Sequence, residues 1–234
     1  MCQIENDCST IGLVRRPGAA VYFLRMAFQP GKKKAADAEP GARPLAGPAP
    51  NAARLHEAAL HHLARFATTE AGMFHVLVRR IDRWARRAAN EMEAEDIQAA
   101  TAGAAAAARA VAARLVAAGA IDDAAFAAIR ARRLRREGRS ARAVGAHLRA
   151  KGVDPETARA ALPEDEAAEL AAAIAAAKRR RIGPFRRGDA PDLAGRMKEL
   201  AALARGGFTQ NVAREALDMD PEAAQAMLTH QRHL

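Results

Sequence analysis

The sequence predicts an all-α protein, a curved solenoid of three tandem three-helix units behind a disordered N-terminal arm. Three observations carry that prediction. Apolar residues recur at three- and four-residue spacing from Arg54 onward. Segment after segment closes on a glycine and the next opens on a side-chain acceptor, as helix C′ and N-cap positions require. The pattern then repeats itself along the chain, which is the signature of stacked helical units.

The arm comes first. From Gln29 to Asn51 the chain is Gly, Pro, Ala and Lys without period, with Pro30, Pro40, Pro44, Pro48 and Pro50. Such a stretch cannot bury enough apolar surface to offset its chain entropy, so residues 1–51 read as disordered. Lys32, Lys33 and Lys34 form a weak electrostatic tether within it, and Met26 opens a more ordinary N-terminus than Met1.

The first unit spans 52–120. Leu55, Ala59, Leu60, Leu63 and Phe66 mark its first helix. Thr68 or Thr69 caps a second helix with Met73, Val76, Leu77, Ile81 and Trp84, and an alanine-rich third helix ends at Gly119. In the second unit, 121–163, Asp122-Asp123 opens a helix with Phe126, Ile129 and Leu134 that closes at Gly138. Ser140 caps the next, with Val144 and Leu148, and Asp154-Pro155-Glu156 starts a short third helix, proline being favoured at its first position. The third unit, 164–220, begins at Asp165, carries Leu170 and Ile174, and is interrupted by a loop at about 183–192. Leu193, Met197, Leu200 and Leu203 mark its second helix, and Thr209 caps its last. Residues 221–234 read as a loose tail.

The repeat itself is explicit. Gly152-Val153-Asp154-Pro155-Glu156-Thr157-Ala158-Arg159-Ala160-Ala161-Leu162 aligns without a gap on Gly207-Phe208-Thr209-Gln210-Asn211-Val212-Ala213-Arg214-Glu215-Ala216-Leu217. Thr69, Met73 and Leu77 stand where Ser140, Val144 and Leu148 stand. Units this short cannot bury their apolar stripes alone and are expected to stack.

Composition narrows the function. Lys and Arg number 37 against 27 Asp and Glu, for a formal net charge of +10. That surplus favours a nucleic acid or another anionic partner. Aromatics are 4% of the chain, so base stacking cannot dominate any binding to a single strand. Both cysteines, Cys2 and Cys8, lie in the arm, so no disulfide or cysteine–zinc framework holds the body. No signal peptide is evident and no apolar run reads as a membrane span, which makes a cytoplasmic monomer without membrane contacts the expectation.

Catalysis finds no support. Ser9 and Ser140 are the only serines, and there is no P-loop and no Gly-x-Gly-x-x-Gly. In His56-Glu57-x3-His61 the histidines lie about 140° apart on a helix, so they do not share a metal. Asp122-Asp123 reads as a helix cap, not as an acid–base pair. Neither cofactor nor metal is expected.

Basic residues are the candidate functional groups. At 100° per residue, Phe126, Ala127, Ile129 and Leu134 share one face while Arg132, Arg135 and Arg136 fall opposite, continued by Arg139, Arg142 and Lys151, with Arg130 and Arg133 at the borders. Lys178, Arg179, Arg180 and Arg181 with Arg186 and Arg187 give a second patch, and Arg79, Arg80 and Arg83 a third. A merely solubilising face mixes both signs of charge, whereas only Glu137 interrupts the first patch. Three such patches on stacked units would form a stripe suited to a long polyanion. Base readout by Ser140–Leu162 as a helix-turn-helix is rejected, because Asp154 and Glu156 would meet phosphates with the wrong charge.

Gly119-Ala120-Ile121-Asp122-Asp123-x2-Phe126, then Arg132 to Arg136, Gly138, Ser140 and Leu148-x2-Lys151-Gly152-Val153, resembles the RecX regulatory proteins of bacteria. The resemblance covers roughly residues 54–217 and departs at Phe126, where the family commonly has tyrosine. It implies a non-enzymatic, all-helical modulator of the RecA recombinase that lodges in the groove of the RecA–DNA filament and usually inhibits it. The expected partner is therefore the RecA filament, with DNA backbone contacts weak or made within it. A helical-repeat protein binding DNA or RNA directly remains the alternative.

Overall fold

Alanine-rich segments with regular caps give helices throughout. The structure, a computed structural model, describes residues 45–162 and 164–233, with side chains to residue 230. Unit 1 comprises α1 (Ala52–Leu63), α2 (Glu70–Ala88) and α3 (Ala94–Ala117). Unit 2 comprises α4 (Asp123–Arg136), α5 (Ala141–Ala150) and the single-turn α6 (Pro155–Ala160). Unit 3 holds α7 (Glu166–Arg180), α8 (Leu193–Arg205), α9 (Gln210–Asp218) and α10 (Pro221–His233), with a 3₁₀ turn at Gly183–Phe185. No strand occurs among the described residues.

The expected caps form. Thr69, Asp122, Ser140, Asp165, Asp192 and Thr209 each accept from the backbone N–H three residues on, and Asp154 accepts from Glu156 and Thr157 ahead of Pro155. Caps of this kind stabilise a helix by about 1 kcal/mol each. Each unit then closes its own core. Met73 and Leu77 are fully buried in unit 1, Val144 and Leu148 in unit 2, and Leu203 in unit 3. Val153 and Phe208, like Ala158 and Ala213, occupy matching buried positions, so the internal repeat is a repeat of packing.

Two departures concern the ends. The last residues of the expected arm, 45–51, lie on unit 1: Trp84 Nε1 donates to the Gly47 carbonyl at 2.9 Å and Ala46 N to Glu91 Oε1 at 3.0 Å. The rest of that arm, residues 1–44 with Cys2, Cys8, Met26 and Lys32–Lys34, lies outside the described residues. At the other end the expected loose tail is α10. Asp220 caps it through the N–H groups of Glu222 and Ala223, and Ala224 and Leu228 bury themselves in the unit 3 core.

One polar device joins the units twice. Thr69 Oγ1, at the N-cap of α2, donates to the Lys151 carbonyl at the end of α5, at 2.6 Å. Ser140 Oγ, at the N-cap of α5, donates to the Gly206 carbonyl at the end of α8, at 2.7 Å. Beside each sits a helix N1 amide bound to a carboxylate of the following unit: Glu70 N to Asp123 Oδ1 at 2.9 Å, and Ala141 N to Glu169 Oε2 at 3.0 Å. The glycine after each accepting carbonyl has positive φ, +82° at Gly152 and +91° at Gly207.

Close approach explains the glycine at the first junction. A Cβ on Gly152 would lie 2.2 Å from the Ala71 Cβ, whereas one on Gly119, also at positive φ, would meet nothing. Gly119→Ala should therefore cost about 1 kcal/mol, from backbone strain alone. Gly152→Ala should cost about 2–4 kcal/mol, because it also forces units 1 and 2 apart. Urea unfolding of the two variants checks this; equal losses would mean that the contact at Ala71 does not hold the junction.

Candidate functional site

The middle basic patch rests on α4. Ala127, Ala131 and Leu134 form its buried seam, with Phe126 half-buried beside them. That seam is turned from the one read in the sequence, and Ile129 is 61% exposed. The reason is packing: two alanines at four-residue spacing let helices approach more closely than Ile129 would allow, and the helix settles on them.

This rotation sorts the arginines. Arg135, one turn beyond Ala131, points along the seam and ion-pairs with Glu169 of α7, both side chains being largely buried. Its expected place on the outward face is thus corrected: it joins units 2 and 3. Arg132 and Arg136, one turn apart, are exposed, as are Arg139, Arg142 and Lys151, and none of the five enters an ion pair among the described residues. Glu137 is taken by Arg133 at 2.8 Å. The hydrogen bond from Arg133 outweighs the opposing effect of burial and, with the charges of Arg133, Arg130 and Arg139, holds the Glu137 carboxyl below the usual carboxylate range.

Unit 3 divides similarly. Arg186 makes a two-pronged ion pair with Glu199, Nε at 3.2 Å and Nη2 at 2.6 Å from Oε1, and is mostly buried, so it fastens the 183–192 loop to α8. Lys178 donates to Gln225 Oε1 at 2.7 Å and lies 5.4 Å from the Phe185 ring centre. Arg179 donates to the Glu137 carbonyl. Arg180, Arg181 and Arg187 are exposed, Arg181 ending α7 in the left-handed region at φ +56°. In unit 1, Arg79, Arg80 and Arg83 are exposed on α2 without ion pairs among the described residues.

The sequence reading passed over one pair. Arg130 of α4 donates from Nε to His147 Nε2 of α5 at 3.2 Å. Burial, then the charges of Arg130, Lys151 and Arg139, push the His147 pKa down from its ordinary 6.5. The only early signal was Arg130 at the edge of the apolar stripe.

No cluster of three or more potential metal ligands occurs among the described residues. By length and composition alone α3 is apolar enough to cross a membrane, contrary to the reading of the sequence. Its apolarity is mostly alanine, and Ala104, Ala108, Val111, Ala112 and Leu115 lie in the unit 1 core.

Comparisons with known proteins bear on this arrangement. The family described as RecX, second three-helix domain, matches residues 122–162, which is unit 2. The regulatory protein RecX of Myxococcus xanthus is 37% identical over 169 residues, 71% of this chain and 86% of that protein. The regulatory protein RecX of Agrobacterium fabrum is 40% identical over 110 residues, 47% of this chain and 58% of that protein. No solved structure matches the chain.

The environment of His147 has a measurable consequence. Its folded pKa lies below the unfolded value, so below pH about 6.5 the unfolded chain binds a proton that the folded chain does not. Stability therefore falls as pH drops through that window, and His147→Gln, which keeps an acceptor for Arg130, should flatten the fall. A His147 NMR titration midpoint at or above 6.5 would contradict the assigned environment.

Proposed function

The chain belongs to the RecX family of regulatory proteins, and from that membership we propose that it binds RecA filaments and modulates their activity through the exposed arginines of α4 and α5. One observation carries this reading. Arg132 and Arg136 stand one turn apart, exposed and without ion pairs among the described residues, while Glu137, next in sequence to Arg136, is already engaged by Arg133. A guanidinium fork suits carboxylates and phosphates alike, and a filament of protein on DNA presents both. Arg139 and Arg142 extend the same cationic ground across the α4–α5 turn.

The role is regulatory and non-catalytic. Asp122 and Asp154 are consumed as caps, and the protein works by occupying a surface. Such a partner places the chain in the cytoplasm, in the control of DNA repair, recombination and the SOS response. Arg135 and Arg186, held in internal ion pairs, are left out of the surface, and the exposed members of the other two patches lengthen it.

Charge reversal tests the reading. Arg132→Glu with Arg136→Glu should weaken co-sedimentation with RecA filaments by at least about tenfold, since like charges then face the partner's acids or phosphates. Helicity and the unfolding free energy should stay within about 0.5 kcal/mol of the parent, both sites being exposed. Unaltered filament binding removes this face. Wild-type protein that leaves RecA's DNA-dependent ATP hydrolysis untouched, yet binds naked DNA tightly, favours the direct nucleic-acid reading.

A further inference from the structure

Helix α8 gives little of itself to the core. Of its 13 residues only Leu203 is buried, whereas α2 buries five. The apolar set read in the sequence divides. Leu200 packs half-buried against the unit 3 core beside Leu203, while Leu193 is 80% exposed and Met197 56% exposed. Ion pairs fasten the inward side, Glu199 to Arg186 and Arg196 to Asp218. A single exposed apolar residue is ordinary, but two large ones a turn apart on one helix mark a face without a partner.

That face continues along the helix. Leu193, Met197, Ala201 and Ala204 follow at steps of four, four and three residues, the spacing that keeps a seam on one side of a helix. Ala194 and Ala204 are exposed and Ala201 is half-buried. The seam is therefore bulky in its N-terminal half and small in its C-terminal half. Charge is polarised the same way. Asp192 stands at the start of α8 and Arg205 at its end, both exposed and neither in an ion pair among the described residues.

Such a face is complementary to itself turned end for end. Laid antiparallel, two α8 helices place Leu193 of one copy against Ala204 of the other and Met197 against Ala201, so bulk meets gap along the whole seam. The Arg205 end of each copy then meets the Asp192 end of its mate. A parallel pair would set arginine beside arginine and aspartate beside aspartate, and would leave the alanine half unfilled. Lys198 lies at the edge of the seam, where its long chain carries the ammonium into water.

We propose that α8 pairs two copies of this chain, antiparallel, about a two-fold axis. The contact is a single helix pair, smaller than the roughly 1,200 Å² that stable complexes bury, so the dimer is weak and the single copy is its dilute form. Pairing gives one particle two sets of exposed arginines, which strengthens its hold on any repeating partner. The proposal goes beyond filament binding, requires no RecA, and uses none of the residues in the Arg132–Arg136 test.

Sedimentation velocity of the full chain, from low to high micromolar concentration, decides it. The average sedimentation coefficient should rise with concentration towards that of a dimer. Met197→Lys, which puts a charge into the seam, should raise the dissociation constant at least about tenfold, and Arg205→Asp, which makes the ends repel, should do likewise. Both sites are exposed, so helicity and the urea midpoint should match the parent. In a Cys2→Ser, Cys8→Ser background, Leu193→Cys copies mixed with Ala204→Cys copies should form disulfide-linked pairs, and neither should do so alone. A chain that stays monomeric, a dimer untouched by Met197→Lys, or crosslinking of Ala204→Cys by itself overturns the proposal. A monomer whose Met197→Lys variant loses RecA filaments assigns the face to the filament, which overturns the pairing and leaves the filament reading standing.

Discussion

A hydroxyl shared between two helix ends is the constraint on which the stack depends. Every helix leaves unpaired N–H groups at its start and carbonyls at its finish, and burying them without partners costs about 1–3 kcal/mol apiece. Thr69 and Ser140 answer both needs at once. Each oxygen accepts from an amide of its own helix and donates its proton to a carbonyl at the end of the next unit's second helix. Both residues are almost wholly buried, 1% and 0% exposed, so water is no substitute partner. Local capping and the stacking of units are thus one interaction, and the two cannot be changed independently.

That constraint decides which arginines remain free. Small units rich in alanine bury little area per helix, so the interfaces between them lean on polar contacts. Glu169 takes the Ala141 amide and Arg135 together, which ties α5, α4 and α7 at one carboxylate. Glu199 takes Arg186 in the same manner within unit 3. Charges used this way contribute to shape. Arg132 and Arg136 on α4, and Arg79, Arg80 and Arg83 on α2, are exposed and enter no ion pair among the described residues.

Much of the fold was legible because the caps are spelled out. Asp154-Pro155-Glu156 named the start of α6, and the alignment of Gly152–Leu162 on Gly207–Leu217 named a repeated packing unit, as the burial of Val153 and Phe208 bears out. Asp220-Pro221-Glu222 is the same cap again, yet the short segment after it read as tail because its two anchors, Ala224 and Leu228, gain their value only from the groove they enter. The arginine face was less legible. Hydrophobicity pointed to Ile129, and close packing chose Ala131, which rotated the seam and drew Arg135 inward. A helical wheel cannot see that choice, since the advantage of alanine lies in the neighbour's shape. A cleft at the first junction was hidden for a related reason: its lining comes from α1, α2, α4 and the end of α5, which no local spacing connects.

The same chemistry that joins units also shows where joining stops. At the α8 end the N-cap is Asp192, which accepts from Gly195 and carries a carboxyl where Thr69 and Ser140 carry the donating hydroxyl. At the α2 end the chain leaves the helix through Ala89 at φ −59°, with no glycine at positive φ to present a carbonyl as Lys151 and Gly206 do. Residues 46 and 47 instead bond to Glu91 and Trp84 there, and α10 lies against α7 at the other end. Among the described residues, the terminal caps thus lack either the hydroxyl donor or the glycine-flanked acceptor that joins one unit to the next.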